Sequence, residues 1–149
     1  VMPTNLYGIN DNFDLKNSHV IPGLIARMHE TIQKGEKTFS IWGTGKPRRE
    51  FLFVDDMARA CIHVMKQDSN VPDFMNIGTG EDIEIGELAK MIARKMNFSG
   101  EIIYDDSKPD GTPRKLLDVS RIKAIGWQPL ITLDQGLDLT IDYYLKSVN

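Results

Sequence analysis

Six basic residues are candidates for phosphate contacts, and five of them lie near glycine or proline at predicted turns. The six are Arg27, Arg48, Arg49, Lys108, Arg114 and Lys115. A guanidinium group can donate two parallel hydrogen bonds to a diphosphate, and the ring of Trp42 can stack on a base or a sugar. For any one of these residues, ordinary surface charge is the competing interpretation. As a group, and together with Trp42, they favour a binding site for a nucleotide sugar.

His19 lies where a polar loop meets the apolar face of a predicted helix. Histidine side chains ordinarily titrate near neutral pH, so His19 is a candidate general acid or base, although a polar residue at a helix entrance needs no chemical role. His29 and His63 are predicted on helix surfaces, and the spacing of the three histidines predicts no metal site. Cys61 falls on the apolar side of its helix, which favours packing over nucleophilic chemistry.

Two other motifs have a structural and a chemical interpretation. Gly78-Thr79-Gly80 follows a predicted strand and precedes a predicted helix, which is where phosphate-binding loops occur. The motif lacks the Gly-Lys-Ser/Thr of such loops, and a tight turn needs glycine in any case, so a structural role is predicted. The neighbouring carboxylates Asp55 and Asp56 are likewise predicted to cap a helix, not to form an acid/base pair.

The composition is that of an ordinary soluble domain. The chain has 149 residues, of which 41% are hydrophobic and 26% are charged, and this is enough to bury one core. No apolar run is long enough to span a membrane, and a net charge of −3 disfavours a nucleic-acid partner. The single cysteine excludes an internal disulfide and is typical of a reducing compartment, so we expect a cytoplasmic location.

Predicted strands and helices alternate along the chain. Apolar, β-prone segments predict strands at 1–8, 39–42, 51–54, 74–77, 101–104 and 115–119. Apolar residues at helical spacing predict helices at 20–32, 57–65, 85–96 and 137–148, with a helical turn around 122. Gly35 is predicted to close the first helix, and Thr132 to Gln135 resemble a capping box for the last. The apolar face of the second helix is predicted to consist of Met57, Ala60, Cys61, Val64 and Met65. This alternation favours the α/β class, with a small mixed sheet and packed helices. No Gly-x-Gly-x-x-Gly follows a strand, so the chain predicts no dinucleotide-binding βαβ unit of its own.

Five segments carry a resemblance that covers essentially the whole chain. They are Pro-Thr-Asn-Leu-Tyr-Gly at 3–8, Asn-Ser-His-Val-Ile-Pro at 17–22, Trp-Gly-Thr-Gly at 42–45, Arg-Glu-Phe-Leu-Phe-Val-Asp-Asp-Met at 49–57 and Ser-Lys-Pro-Asp-Gly-Thr-Pro-Arg-Lys at 107–115. The chain thereby resembles the extended short-chain dehydrogenase/reductases, and within them the GDP-L-fucose synthases. The Arg-Glu-Phe and Asn-Ile-Gly-Thr-Gly motifs are shared by many nucleotide-sugar epimerases and dehydratases. The segments around 19 and 110 narrow the resemblance to the GDP-L-fucose synthases.

The resemblance implies an organisation and a reaction. Residues 1–149 would form the C-terminal substrate-binding domain with the last elements of a Rossmann domain, and the N-terminal NADP-binding domain would be absent. The complete enzyme would epimerise GDP-4-keto-6-deoxy-D-mannose at C3 and C5 and reduce C4 with NADPH. This chain alone would be inactive. A homodimer would form through the missing domain, with no nucleic-acid or membrane partner.

The resemblance also implies a role for ten residues. His19 would be a proton-transfer residue and would also contact the cofactor, together with Pro3, Thr4, Asn5 and Leu6. The GDP-sugar would be bound by Arg27, Trp42, Arg49, Asp110 and Lys115. The family's other acid/base is a cysteine in the missing half, so Cys61 is not given that role.

Two other hypotheses remain open from the sequence. The chain could belong to a related NAD(P)-dependent nucleotide-sugar epimerase or dehydratase that acts on a different base or sugar. It could also be a sugar-nucleotide-binding module without catalytic activity.

Overall fold

The computed structural model describes residues 1–67 and 71–148. Within these ranges the chain forms five helices: α1 (Val20–Gln33), α2 (Val54–Met65), α3 (Ile85–Lys95), α4 (Ser120–Ala124) and α5 (Leu133–Val148). The strands are β1 (Met2–Pro3), β2 (Asn5–Tyr7), β3 (Thr38–Trp42), β4 (Arg48–Arg49), β5 (Phe51–Phe53), β6 (Asn76–Ile77), β7 (Ile83–Glu84), β8 (Glu101–Asp105) and β9 (Arg114–Lys115). No helix in the described ranges is long and apolar enough to cross a membrane.

The strands pair mostly in parallel and across long sequence separations. Three two-stranded parallel sheets form, from β1 with β6, β2 with β5, and β3 with β8. Strand β4 lies between β7, its antiparallel neighbour, and β9, its parallel neighbour. Helices connect the parallel pairs, because parallel strands cannot be joined by a tight turn. The predicted class, α/β with a small mixed sheet, is therefore confirmed.

Strand β5 separates two hydrophobic cores. Phe51 and Phe53 belong to a first core built from α1, α3, α5 and β3, whereas Leu52 belongs to a second core that includes Ala60 of α2 and Ile77 of β6. Successive side chains of a strand point to opposite faces, so the three residues alternate between the two cores. All three are buried, and the strand fixes both cores relative to the residues immediately before it.

The ends of two helices follow the predicted capping chemistry. Gly35 closes α1 with a positive φ of 66°, a backbone conformation that glycine adopts without steric cost. At the start of α5, the Gln135 backbone N–H donates to the Thr132 hydroxyl at 3.3 Å while Oε1 of Gln135 accepts from the Thr132 N–H at 3.0 Å. This reciprocal pair is the capping box that the sequence predicts.

The capping role predicted for Asp55 or Asp56 is wrong. Phe53 is the N-cap of α2, and no side chain there accepts a capping hydrogen bond. Asp56 is instead fully buried and accepts the backbone N–H groups of Leu130 and Ile131, at 3.0 and 2.9 Å. These distant amides need an acceptor inside the protein, and a carboxylate in the first turn of α2 supplies one.

Helix α2 also differs from its predicted apolar face. Ala60 is buried and Met57 packs against the second core, but Met65 is 83% exposed. Cys61 is half-buried, so it packs at the edge of the helix and not inside the core. The helix ends at Met65, one residue after Val64, which still packs against the second core.

Candidate functional site

A cavity of about 480 Å³ lies beside the first two strands. Its lining includes residues 3–11, together with His19 and Val54. The Thr4 hydroxyl and the Asn5 amide nitrogen both donate to the backbone carbonyl of Glu50, at 3.2 and 2.7 Å. These bonds fix the run 3–6 against the start of β5. The residues predicted to contact the cofactor, Pro3 to Leu6 and His19, therefore line one cavity.

His19 reaches this cavity because the preceding loop is folded back on itself. The Asp14 carboxylate accepts the backbone N–H groups of Lys16 and Asn17, at 3.0 and 2.8 Å, and the Asp14 carbonyl accepts the N–H of Ser18 at 3.2 Å. Short acidic side chains that bond the backbone two or three residues ahead form such turns. His19 is the N-cap of α1 and makes no side-chain capping bond, and its side chain is exposed. The imidazole is therefore available to a ligand.

Arg27 and Trp42 form a second part of the site. The Arg27 guanidinium lies 5.4 Å from the centre of the Phe39 ring and 5.8 Å from that of Trp42, within the range of a cation–π contact. Partial burial lowers the pKa of Arg27 from its ordinary value, although a guanidinium stays charged in proteins. The Trp42 ring is 68% exposed and presents an open aromatic surface.

A cationic pair occupies one face of the sheet β7-β4-β9. Arg49 of β4 pairs with Lys115 of β9 in parallel register, and paired residues project from the same face. Nη1 of Arg49 donates to the Thr112 carbonyl at 2.6 Å, which attaches Arg49 to the loop 106–113. Arg49 also lines a neighbouring cavity of about 430 Å³. Two of the residues predicted to bind the GDP-sugar, Arg49 and Lys115, are thus adjacent.

The opposite face of the same sheet carries an ion cluster around Asp82. Nε of Arg48 donates to Asp82 Oδ1 at 2.8 Å, Nε of Arg114 bonds Asp82 Oδ2, and Nη1 of Arg48 donates to Glu84 at 3.2 Å. Hydrogen bonds from Arg114 and then Arg48 lower the pKa of Asp82. Adjacent residues of a strand face opposite sides, so Arg48 and Arg114 are paired internally while Arg49 and Lys115 face away from them.

Asp110 attaches the loop 106–113 to the turn after Trp42. One carboxylate oxygen accepts the Thr44 backbone N–H at 2.9 Å and the other accepts the Thr44 hydroxyl at 2.7 Å. These bonds, the hydroxyl first, lower the pKa of Asp110. A side chain added at Gly43 would collide with this carboxylate. The structure thus gives Asp110 a second task beside its predicted ligand contact, because it holds the turn next to Trp42.

The turn at 78–80 is hydrogen-bonded to the side-chain carboxylate of Glu50. The Glu50 carboxylate is completely buried and accepts the Gly80 N–H at 2.7 Å through Oε1 and the Leu117 N–H at 3.0 Å through Oε2. The hydroxyl of Thr79 lies 3.4 Å from the same Oε1. These contacts fit the structural interpretation of the Gly-Thr-Gly motif, because an internal carboxylate holds the position that a phosphate would need.

The other two histidines, which are predicted on helix surfaces, lie apart from these contacts. A ring nitrogen of His63 lies 2.8 Å from the Ile125 carbonyl, and His29 lies 3.5 Å from the Tyr144 hydroxyl. Among residues 1–67 and 71–148, no group of His, Cys, Asp or Glu side chains is arranged to hold a metal ion. The cavity that contains His19 is not lined by Arg27, Trp42 or Arg49. The cavity predicted to face the cofactor (the cofactor-side cavity) is therefore separate from the surface predicted to bind the nucleotide (the nucleotide-side surface), which consists of Arg27, Trp42, Arg49 and Lys115.

Similarity to known proteins identifies the family of this fold and site. Residues 1–78 match the model of the NAD dependent epimerase/dehydratase family. The chain belongs to this family. The match includes the cofactor-side run 3–6, His19, Trp42 and Arg49, while the nucleotide-side loop 106–113 lies outside it.

Relatives in the NAD dependent epimerase/dehydratase family share the resemblance seen in the sequence. GDP-L-fucose synthase 1 of Arabidopsis thaliana is 48% identical over 147 residues, which are 99% of this chain and 45% of that protein. GDP-L-fucose synthase of Escherichia coli (strain K12) is 48% identical, over 99% of this chain and 48% of that protein. A solved GDP-L-fucose synthetase from Naegleria fowleri bound to NADP has a TM-score of 0.89 and 32% identity, covering 99% and 46%. The chain spans a little under half the length of these relatives.

Proposed function

We propose that this chain is the C-terminal substrate-binding domain, with the last Rossmann elements, of a GDP-L-fucose synthase. The complete protein would epimerise GDP-4-keto-6-deoxy-D-mannose at C3 and C5 and reduce C4 with NADPH. The observation that carries the proposal is the shared cavity of His19 and the run Pro3 to Leu6. It supports the proposal because a histidine that could transfer a proton lies next to the backbone that would face a nicotinamide. The relatives with this name, at 48% identity, support the choice of substrate.

His19 would transfer the proton that completes epimerisation. The C4 ketone acidifies both neighbouring carbons, so a proton can be removed from one face of C3 or C5 and returned to the other. Returning it needs a positioned acid that can be reprotonated between steps. His19 is exposed at the rim of the cavity and its ring makes no capping bond, so solvent can restore its proton.

The cofactor-side cavity fits the nicotinamide end of NADPH. Its volume of about 480 Å³ lies in the range of small-molecule sites, and its floor is fixed because the side chains of Thr4 and Asn5 both bond the Glu50 carbonyl. NADPH, when bound, supplies the hydride for C4. Residues Pro3 to Leu6 would hold the nicotinamide end, and His19 would border it. The glycine-rich loop for the rest of the cofactor would come from the other part of the protein.

The nucleotide-side surface would bind the GDP portion. Trp42 presents an exposed ring for stacking, with Arg27 against it at 5.8 Å. Arg49 and Lys115 lie side by side and would contact the diphosphate, for which a guanidinium fork is well suited. Asp110 would contribute at the ribose or phosphate end while holding the turn beside Trp42.

Saturation-transfer NMR with GDP-, UDP- and dTDP-sugars tests the base preference of the full-length protein. The proposal expects transfer to GDP-sugars, with competition by GDP but not by UDP. A preference for UDP or dTDP would assign the protein to another nucleotide-sugar epimerase or dehydratase.

NADPH oxidation with the keto-sugar tests the activity and the division of the site. The full-length protein should oxidise NADPH, and the 149-residue chain should not. Oxidation by the isolated chain would contradict the proposed domain division. Sugar binding by a full-length protein that lacks all turnover would identify a binding module instead.

We also propose that the complete protein is a cytoplasmic homodimer. The single cysteine suits a reducing compartment, and the dimer would form through the part outside this chain. Light scattering should give a dimer for the full-length protein and a monomer for the chain alone, and a fluorescent fusion should be uniformly cytoplasmic. A dimeric 149-residue chain would move the interface to this domain.

A further inference from the structure

Glu50 is a buried carboxylate that the proposed reaction does not use. Its side chain is 0% exposed and accepts one backbone N–H on each oxygen, from Gly80 at 2.7 Å and from Leu117 at 3.0 Å. A buried carboxylate is costly unless its oxygens are bonded. This one is bonded to two segments that are distant in sequence, and its position is therefore fixed.

The main chain of the same residue holds a third segment. The Glu50 carbonyl accepts the Thr4 hydroxyl at 3.2 Å and the Asn5 amide at 2.7 Å. Both donors belong to the run that lines the cavity containing His19. One residue thus contacts the cofactor-side run through its carbonyl and two other segments through its carboxylate.

The segment bonded by Glu50 Oε2 carries a predicted substrate contact. Leu117 lies two residues after Lys115, and β9 joins β4 through a ladder of only two residues. A ladder this short contributes few hydrogen bonds to hold its register. The Leu117 N–H bond to Glu50 adds an anchor directly after the ladder, and the Arg48 N–H bond to the Pro113 carbonyl at 2.8 Å adds one before it.

We propose that Glu50 is a positioning residue that sets the separation between the cofactor-side run 3–6 and Lys115. The inference rests on the proposed function, because it concerns the distance between the surface that would bind the cofactor and the surface that would bind the GDP-sugar. Glu50 lies directly after Arg49 in the chain, so its fixed side chain also limits where Arg49 can move.

The bonding pattern requires a carboxylate at this position. Both partners are N–H donors, so both side-chain oxygens must act as acceptors. Glutamine would turn an NH₂ group toward one of these amides and leave it unpaired. Aspartate keeps both acceptors but is one methylene shorter, so its oxygens lie farther from the Gly80 and Leu117 N–H groups and both hydrogen bonds weaken. A side chain at Gly78 would collide with the carboxylate, which leaves no room for it to relax.

The test compares Glu50→Gln and Glu50→Asp with Asp56→Asn in the full-length protein. Asp56 is the control, because it is also fully buried and accepts two backbone N–H groups, from Leu130 and Ile131, beside an ion pair with Arg59, but has no bond to the run 3–6 or to β9. Steady-state kinetics would give KM and kcat for the keto-sugar and for NADPH, below the melting temperature of every variant.

Glu50→Gln should raise KM for both substrates by about tenfold or more, and Glu50→Asp should raise both by a smaller factor. Asp56→Asn should lose comparable thermal stability with both KM values close to wild type. Wild-type KM values in a folded Glu50 variant, or an equal rise in Asp56→Asn, would overturn the inference. If Glu50→Gln does not fold, Glu50→Asp decides by the same criterion. Absence of turnover in the wild-type protein is a separate result that counts against the proposed function.

Discussion

Replacement of Trp42 by alanine separates nucleotide binding from folding. The ring is 68% exposed, and the Arg27 guanidinium lies 5.8 Å from the centre of the ring. Loss of an exposed cation–π contact costs about 0.5–1 kcal/mol of unfolding free energy. The fold should therefore tolerate the substitution, and any larger change in GDP affinity must come from the missing ring.

The expected loss of affinity follows from the stacking energy. An aromatic side chain stacked on a base contributes about 1–3 kcal/mol by alanine substitution. Since each 1.4 kcal/mol is a factor of ten, the Kd for GDP should rise by about 5- to 150-fold. Phe74→Ala is the matched control, because Phe74 is a similarly exposed ring, 72% accessible, that lines a different cavity together with Arg121. Its Kd should stay at the wild-type value.

Calorimetric titration of GDP into the full-length protein and both variants measures these constants. Fluorescence gives a second readout, because within this chain Trp42 is exposed whereas Trp127 is buried. GDP should quench the emission that the Trp42→Ala substitution removes. A wild-type Kd in Trp42→Ala, with unchanged quenching, would refute stacking of the base on this ring.

Four further predictions address proton transfer, substrate binding, core packing and stability in acid. His19→Gln should slow solvent-deuterium exchange at C3 and C5 by about 10²- to 10⁴-fold, with NADPH affinity largely retained. Arg49→Ala should mainly raise KM for the keto-sugar, since a diphosphate contact is made in the ground and transition states alike. Leu52→Ala, at a fully buried position, should lower the free energy of unfolding by about 2–5 kcal/mol in urea titrations. In acid, the Asp82 cluster should lose its stabilising effect as pH falls below about 4, the ordinary pKa of this side chain, because its pKa is lowered only in the folded state.

Each of these predictions has a contradicting result. A wild-type rate of exchange in His19→Gln would contradict the proton-transfer role of His19. For Arg49→Ala, a fall in kcat without a rise in KM would contradict a diphosphate contact in the ground state. Leu130→Ala, 64% exposed, is the control for Leu52→Ala and should change stability by less than about 0.5 kcal/mol. An Asp82→Asn variant should show a weaker loss of stability between neutral and acid pH, and an unchanged loss would exclude the cluster as its source.

Much of the fold could be predicted because its longer elements have a local cause. Helix α1 follows from apolar residues at helical spacing and ends at Gly35, and the capping box at Thr132 marks the start of α5. The pairing partners of the strands could not be predicted. Strands β4 and β7 have two residues each and contain Arg48, Arg49 and Glu84, so they lack the apolar alternation that identifies a strand. Tertiary contacts alone make them extended.

The candidate site was only partly visible in the sequence for the same reason. The resemblance selected His19 and the run 3–6, which the structure brings into one cavity. It gave no role to Glu50 or Asp82, whose importance lies in bonds to residues about thirty or more positions away. The one available signal is the acidic residue between Arg49 and the apolar triplet of β5. A carboxylate next to a buried strand needs internal partners, but the sequence does not say which.

Strand β5 has a consequence for how this domain can be redesigned. Its three residues each face a fully occupied core, on alternating sides, so no position in the strand can vary without repacking one core. A change of nucleotide base should therefore be sought around Trp42, whose ring is exposed and whose backbone is held from a separate loop through Asp110. Libraries that randomise the rim and leave residues 50–53 untouched should retain a much larger folded fraction than libraries that include the strand.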